Sequence, residues 1–213
     1  MIKSINKVFI AALIILSVNM VNAQINAITD TGDEVILFQD GTWNYLNDSL
    51  IENVEIPVND FIFIKDESST FLVKSKRINI GIWINPKEWS FSKGAESTAT
   101  ELQFQSKGGD LYGMLISEKL QIPLETLREI AIQNAKSAAP DLKVLKEEYR
   151  TINGIQVLML SFSGTIQGIK FKYYCYYYSN DQGSIQLLTY TGNDIFDDKL
   201  EAIESFLNGF VVL

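Results

Sequence analysis

GIQVLMLSFSGT, residues Gly154–Thr165, places apolar side chains on both sides of an extended chain. On a strand, Ile155, Val157 and Met159 point one way while Leu158, Leu160 and Phe162 point the other. A sheet with one wet face alternates apolar and polar residues, so this strand belongs to a sheet covered on both faces. It is one of four long extended runs, at about Lys143–Thr151, Gly154–Thr165, Gly168–Ser179 and Ser184–Thr191. The links Asn153-Gly154, Gln167-Gly168 and Asp181-Gln182-Gly183 are short and carry glycine, which is the chemistry of antiparallel hairpins. The sequence therefore predicts an antiparallel meander with helices on both faces.

Two helices are available to cover it. The first runs from Pro123 to about Ala138: Pro123 suits a first helical turn, Glu125 complements the dipole, and Pro140 ends the segment. Leu124, Leu127, Ala131, Ala135 and Ala138 form its apolar stripe. The second runs from about Asp194 to Asn208, with Asn193 as N-cap, Gly209 as the stop, and Phe196, Leu200, Ile203 and Leu207 facing inward. Shorter extended stretches precede them at Phe71–Lys76, Ile78–Ile84, Thr98–Gln105 and Leu111–Ser117, with a turn at Asn85-Pro86-Lys87-Glu88.

The third long run contains FKYYCYYYSN, Phe171–Asn180. Phe171, Tyr173, Cys175 and Tyr177 share one face of the strand, and Lys172, Tyr174, Tyr176 and Tyr178 share the other. Tyrosine is a favoured strand residue, and a lone cysteine is among the most buried residue types, so sheet packing with an inert thiol accounts for the run. The functional alternative is a stacking surface for sugar or peptide made by Tyr174, Tyr176 and Tyr178.

The N-terminus reads as a secretory signal peptide over 1–23. Lys3 and Lys7 precede the 11-residue apolar run Val8–Val18, and Val21 and Ala23 occupy the −3 and −1 positions of a cleavage site before Gln24. Such a run is too short to span a bilayer of ~30 Å as a helix. Residues 24–47 form an N-terminal β-hairpin module, with strands at Ile25–Thr29, Glu34–Phe38 and Thr42–Leu46 and a tight turn at Asp40-Gly41. Residues 48–70 are polar and acidic and read as a linker, with Phe61–Lys65 as a short strand inside it. Residues 71–213 form the main α+β domain.

Composition removes several classes of function. Cleavage after Ala23 leaves 16 basic and 26 acidic residues (18 − 2 against 26), a net charge of −10. That field repels nucleic acid and anionic lipid. The chain has no histidine, which takes away the commonest general base and metal ligand. One cysteine permits no internal disulfide and no redox pair. Ser161-Phe162-Ser163-Gly164 is not a nucleophile elbow, and Gly108-Gly109 suits a turn better than a phosphate cradle. Asp194, Asp197 and Asp198 suit a helix N-terminus, and Asp30, Asp33 and Glu34 lack the pattern of a calcium loop. No catalytic residue, metal or cofactor is expected.

INIGIWINPKEWSF, Ile78–Phe91, resembles the opening of the PsbP-like superfamily, in which a strand ends in a proline turn followed by tryptophan, here Pro86 and Trp89. The order after it is similar over about Phe71–Val212: strands, a helix, a long meander and a terminal helix ending near Ser205-Phe206. The superfamily includes the extrinsic PsbP proteins of photosystem II and many exported bacterial proteins. The resemblance implies a three-layer α/β/α sandwich around a mainly antiparallel sheet, and an accessory or protein-binding role. VILFQDGTWNYL, Val35–Leu46, is similar to a short hairpin motif of exported Bacteroidota-type proteins. The expectation is an exported, periplasmic or extracellular, non-catalytic module that binds an envelope protein and does not stay in the membrane after signal cleavage. Trp43, Tyr45 and Trp89 are its candidate contacts. The alternative is a small-ligand or glycan binder using the tyrosine face.

Overall fold

The computed structural model describes residues 25–28, 34–37, 43–45, 55–95 and 99–213. The expected signal peptide and the Asp40-Gly41 turn lie outside the described residues. Near the N-terminus, β1 (Ile25–Ile28), β2 (Glu34–Leu37) and β3 (Trp43–Tyr45) pair antiparallel in that order, with Ile25 opposite Leu37 and Val35 opposite Tyr45.

The remaining strands are β4 (Val58–Phe63), β5 (Phe71–Lys74), β6 (Ile80–Ile84), β7 (Trp89–Lys93), β8 (Thr100–Ser106), β9 (Leu111–Glu118), β10 (Lys143–Ile152), β11 (Ile155–Ile166), β12 (Ile169–Asn180), β13 (Gly183–Gly192) and β14 (Phe210–Val212). Helix α1 (Leu124–Ala138) lies between β9 and β10, and α2 (Phe196–Leu207) between β13 and β14. The main sheet has eight strands in the order β4-β10-β11-β12-β13-β9-β8-β7. Its neighbours are antiparallel except β4, which runs parallel to β10. A second sheet has the order β14-β6-β5.

The predicted meander is β10 to β13. Its first two turns have positive φ at both central residues, 50° and 82° at Asn153 and Gly154, and 51° and 81° at Gln167 and Gly168. That backbone matches the right-handed strand twist, and asparagine and glycine adopt it most readily. Both faces of the sheet are buried, as the alternation in β11 requires. Val157, Met159, Tyr174 and Tyr176 join one core with Ile203, Phe206 and Leu207 of α2 and with β6 and Phe210. Leu158, Leu160, Phe162, Tyr173, Cys175 and Tyr177 join the other with Leu127 and Ala131 of α1. Among the described residues the fold is α+β and mostly sheet, with a mixed main sheet, two small three-stranded sheets and two helices.

Three local expectations change. Pro123 stands at the N-cap position of α1, one residue before the helix. Helix α2 starts at Phe196 behind Ile195, without a side-chain cap. Asn193 does not cap it because its N–H still donates to Lys170 O, at 3.0 Å, at the sheet margin. Finally, β4 lies inside the stretch 48–70 expected as a linker and joins the main sheet as an edge strand.

Candidate functional site

The tyrosine face is core. Tyr174 and Tyr176 are buried beneath α2, and their hydroxyls donate to Glu204 Oε1 at 3.0 Å and Asn208 Oδ1 at 2.9 Å. Tyr178 is partly buried, with its ring 5.4 Å from that of Phe210. The open stacking surface of the alternative reading is therefore absent: a helix covers the rings, because both sheet faces need cover. Trp89, expected as a contact, is instead buried and stacks on Phe206 with centroids 4.3 Å apart. The side chains of Trp43 and Tyr45 lie outside the described residues.

Cys175 is wholly buried on the α1 side of β12. Burial pushes its thiol up to about 12, far from the thiolate that nucleophilic or redox chemistry needs. Iodoacetamide is expected to leave Cys175 unlabelled in the native protein and to label it fully in urea. Labelling of the folded chain at the rate of a free thiol would show that β12 is open to solvent.

Among the described residues, no group of three or more histidine, cysteine, aspartate or glutamate side chains converges as a metal cluster. A shallow cavity of about 240 Å³ lies between Trp89, Leu111, Ala202, Lys87, Lys107 and Lys199. It falls below the ~300–1,000 Å³ usual for small-molecule sites, and its Lys199 is neutralised by Asp110 at 2.7 Å.

The feature that sheet packing leaves unexplained is β4. Val58, Phe61, Ile62 and Ile64 are 61%, 75%, 70% and 71% exposed on one short stretch of chain. Scattered apolar residues at a surface are ordinary, but a contiguous set marks a docking surface. The strand is firmly held from behind. Asn59 Nδ2 donates to Glu148 Oε1 at 3.0 Å, and the Phe63 ring lies under the Arg150 guanidinium at 4.4 Å. Asn153 closes its far end: its N–H donates to Phe63 O at 2.9 Å, and its side chain accepts from Lys65 N–H at 2.8 Å. The same side chain donates to Asn208 O and Phe210 O at 2.8 and 2.9 Å, which ties β4 to the end of α2. An apolar strand is thus presented outward on a fixed scaffold.

The pairing of β4 is irregular. Val58 stands beside Tyr149 and Ile62 beside Thr151, so three residues of β4 answer one of β10. Phe61 lies within this bulge on the Phe63 side of the edge, its ring 6.2 Å from that of Phe63, and its N–H donates to Asn59 Oδ1 at 2.9 Å. The run Phe61–Ile64 between Asp60 and Asp66 was the sequence signal, because four consecutive apolar residues among acids need a reason.

No protein-family model matches the chain, and no curated protein matches it in sequence. Solved structures do. The solution structure of cyanobacterial PsbP (CyanoP) from Synechocystis aligns with a TM-score of 0.52 at 13% identity, over 70% of this chain and 95% of that one. LpqN of Mycobacterium tuberculosis, involved in cell envelope biogenesis, aligns at 0.46 and 11% identity, over 67% and 89%. PA94 of Pseudomonas aeruginosa, a protein of unknown function, aligns at 0.44 and 12%, over 67% and 96%. The likeness to CyanoP is one of fold: the chain folds as PsbP-like proteins do.

Proposed function

We propose that the chain is an exported, non-catalytic accessory module of a bacterial envelope that docks another protein on its β4 edge. The exposed apolar edge carries this reading: Val58 and Ile62 on one side of a rigidly held strand, Phe61 on the other, and Ile64 just beyond its end. The signal-peptide layout supports export, and the motif at Val35–Tyr45 supports the bacterial setting. We read the two covered sheet faces as the three layers of an α/β/α sandwich, which leaves the sheet edges as the places to bind.

The test is a photo-crosslinking amino acid at position 61, with position 133 on the exposed side of α1 as control. Position 61 is expected to give a saturable adduct in the host envelope, competed by wild-type protein and not by Phe61→Ser/Ile62→Ser. Equal adducts from both positions would remove β4 as the contact. Competition that survives Phe61→Ser/Ile62→Ser but fails with Trp43→Ala would move the contact to the N-terminal strands.

A further inference from the structure

We propose that the occupant of the β4 edge is a cationic amphipathic segment of the partner, laid beside α1. This rests on the docking reading above and adds the chemistry of what docks.

The placement comes from the register. Val58 and Ile62 pair with Tyr149 and Thr151, so they share a sheet face with them. Helix α1 covers that face as far as β10, where Arg128 Nε meets Glu147 Oε2 at 2.6 Å and the Tyr149 hydroxyl donates to Glu125 Oε1 at 3.1 Å. One strand further out, Val58 and Ile62 are uncovered, and the exposed Phe61 ring borders them across the edge, on the Phe63 side. The vacant strip therefore lies alongside α1, where a helix or short amphipathic segment completes the layer.

Strand addition is the other way to cover an edge, and the bulge works against it. It breaks the ladder between Val58 and Ile62, and the Phe61 N–H is already used by Asn59. Natural edges are blunted in this manner. Recognition must come from side chains, as in helix-in-groove docking.

Charge selects among occupants. Residues 48–70 contain six acids and one lysine. Glu55, Asp60, Asp66 and Glu67 are exposed around the apolar row. The single lysine offsets one of the six and leaves the stretch at −5 (1 − 6). Lys65 Nζ donates to Asp66 O and Ser69 O, both at 3.1 Å, and lies 5.4 Å from the Trp83 ring centre. A second copy of this chain would set the same carboxylates against each other, and an anionic lipid surface meets the same repulsion. A basic segment sets apolar side chains on the row and cations on the rim.

The test titrates the full chain against a fluorescent 18-residue leucine–lysine amphipathic peptide and its leucine–glutamate counterpart, by anisotropy. The lysine peptide is expected to bind at least about tenfold tighter, with the preference shrinking from 50 mM to 500 mM salt. Phe61→Ser/Ile62→Ser is expected to weaken it about tenfold or more, and Asp60→Asn/Asp66→Asn/Glu67→Gln to remove the preference. Equal binding of both peptides, lost with Phe61→Ser/Ile62→Ser, would overturn the cationic partner and keep the docking edge. Lysine-peptide binding indifferent to Phe61→Ser/Ile62→Ser would overturn both. No binding of either peptide, or a dimer in sedimentation that Phe61→Ser/Ile62→Ser dissolves, would overturn the cationic occupant and leave the edge to the crosslinking result.

Discussion

Arg150→Ala is expected to cost about 3–5 kcal/mol of stability, the usual loss when one partner of a buried ion pair is removed. Arg150 is buried on the α2 side of β10, where its Nε donates to Glu148 Oε1 at 2.6 Å. Its Nη1 donates to Glu204 Oε1 at 3.1 Å and the Tyr176 hydroxyl at 3.2 Å, while the ring of Phe63 covers its plane. Removal takes the only buried cation from the buried Glu148 and leaves it Asn59 and the largely exposed Lys146. At roughly 2–4 °C per kcal/mol for a chain of this size, the midpoint falls by about 10 °C. Arg150→Met/Glu148→Gln should recover much of the loss, because the cost lies in a buried charge without its buried partner. Both are read by urea unfolding followed by circular dichroism. A loss under about 1 kcal/mol for Arg150→Ala would mean that water reaches the network.

The same pair sets an acid limit. Burial alone would raise the Glu148 carboxyl, but hydrogen bonds from Asn59, Lys146 and Arg150 outweigh it and hold the carboxyl below its ordinary value of 4.5. A group depressed in the folded state contributes stability that is present above its unfolded pKa and lost as pH falls through the folded one. In wild type, this contribution is intact above pH 4.5 and fades below it. In Arg150→Ala, the carboxyl has lost the Arg150 share of that depression, so less stability is forfeited when it takes up a proton. The gap between the two proteins should therefore narrow as pH drops from 5 toward 3. Because Asn59 and Phe63 contact this network, the same substitution should also loosen the docking strand.

The meander was legible because its signals are local. Asn153-Gly154 and Gln167-Gly168 set two turns by backbone conformation alone, and apolar alternation in β11 demanded two covered faces. The α1 and α2 stripes at helical spacing supplied the covers. What was hidden depends on partners distant in sequence. Nothing in residues 48–70 reveals that β4 runs parallel to a strand some ninety positions later, or that Asn59 meets Glu148 across a separation of 89. For the same reason Tyr174, Tyr176 and Trp89 were ambiguous: an aromatic residue suits a core and a binding face equally, and only the position of α2 decides. Asn153 is a turn residue, as Asn-Gly predicts, but its three side-chain hydrogen bonds to Lys65, Asn208 and Phe210 are invisible from Asn-Gly alone.

Gly209→Ala is the second substitution expected to be severe, at about 3 kcal/mol or more, for a reason different from the usual one for glycine at a helix end. By sequence Gly209 is the stop of α2, a position often left-handed. Its φ is not among the positive ones, so conformation is not what requires it. Clearance is: a Cβ there would lie 2.0 Å from Trp83 O and 3.0 Å from Phe206 O. Neither atom is the end of a flexible side chain, so backbone must move. Trp83 N–H donates to Gly209 O at 2.8 Å, and this bond registers β14 against β6, with Phe210 opposite Ile82. Displacing it pulls Phe210 from the core it shares with Phe206 and Trp89. Gly154→Ala is the control that separates the two causes. Gly154 has φ 82° with nothing within 4 Å of its would-be Cβ, so alanine there meets only backbone strain of about 1–2 kcal/mol. Unfolding of the two variants in parallel should place Gly209→Ala clearly below Gly154→Ala, with amide exchange in β14 accelerated only in the former. The reverse order would mean that β14 is not docked on β6, and that the small sheet contributes little to holding α2 over the tyrosines.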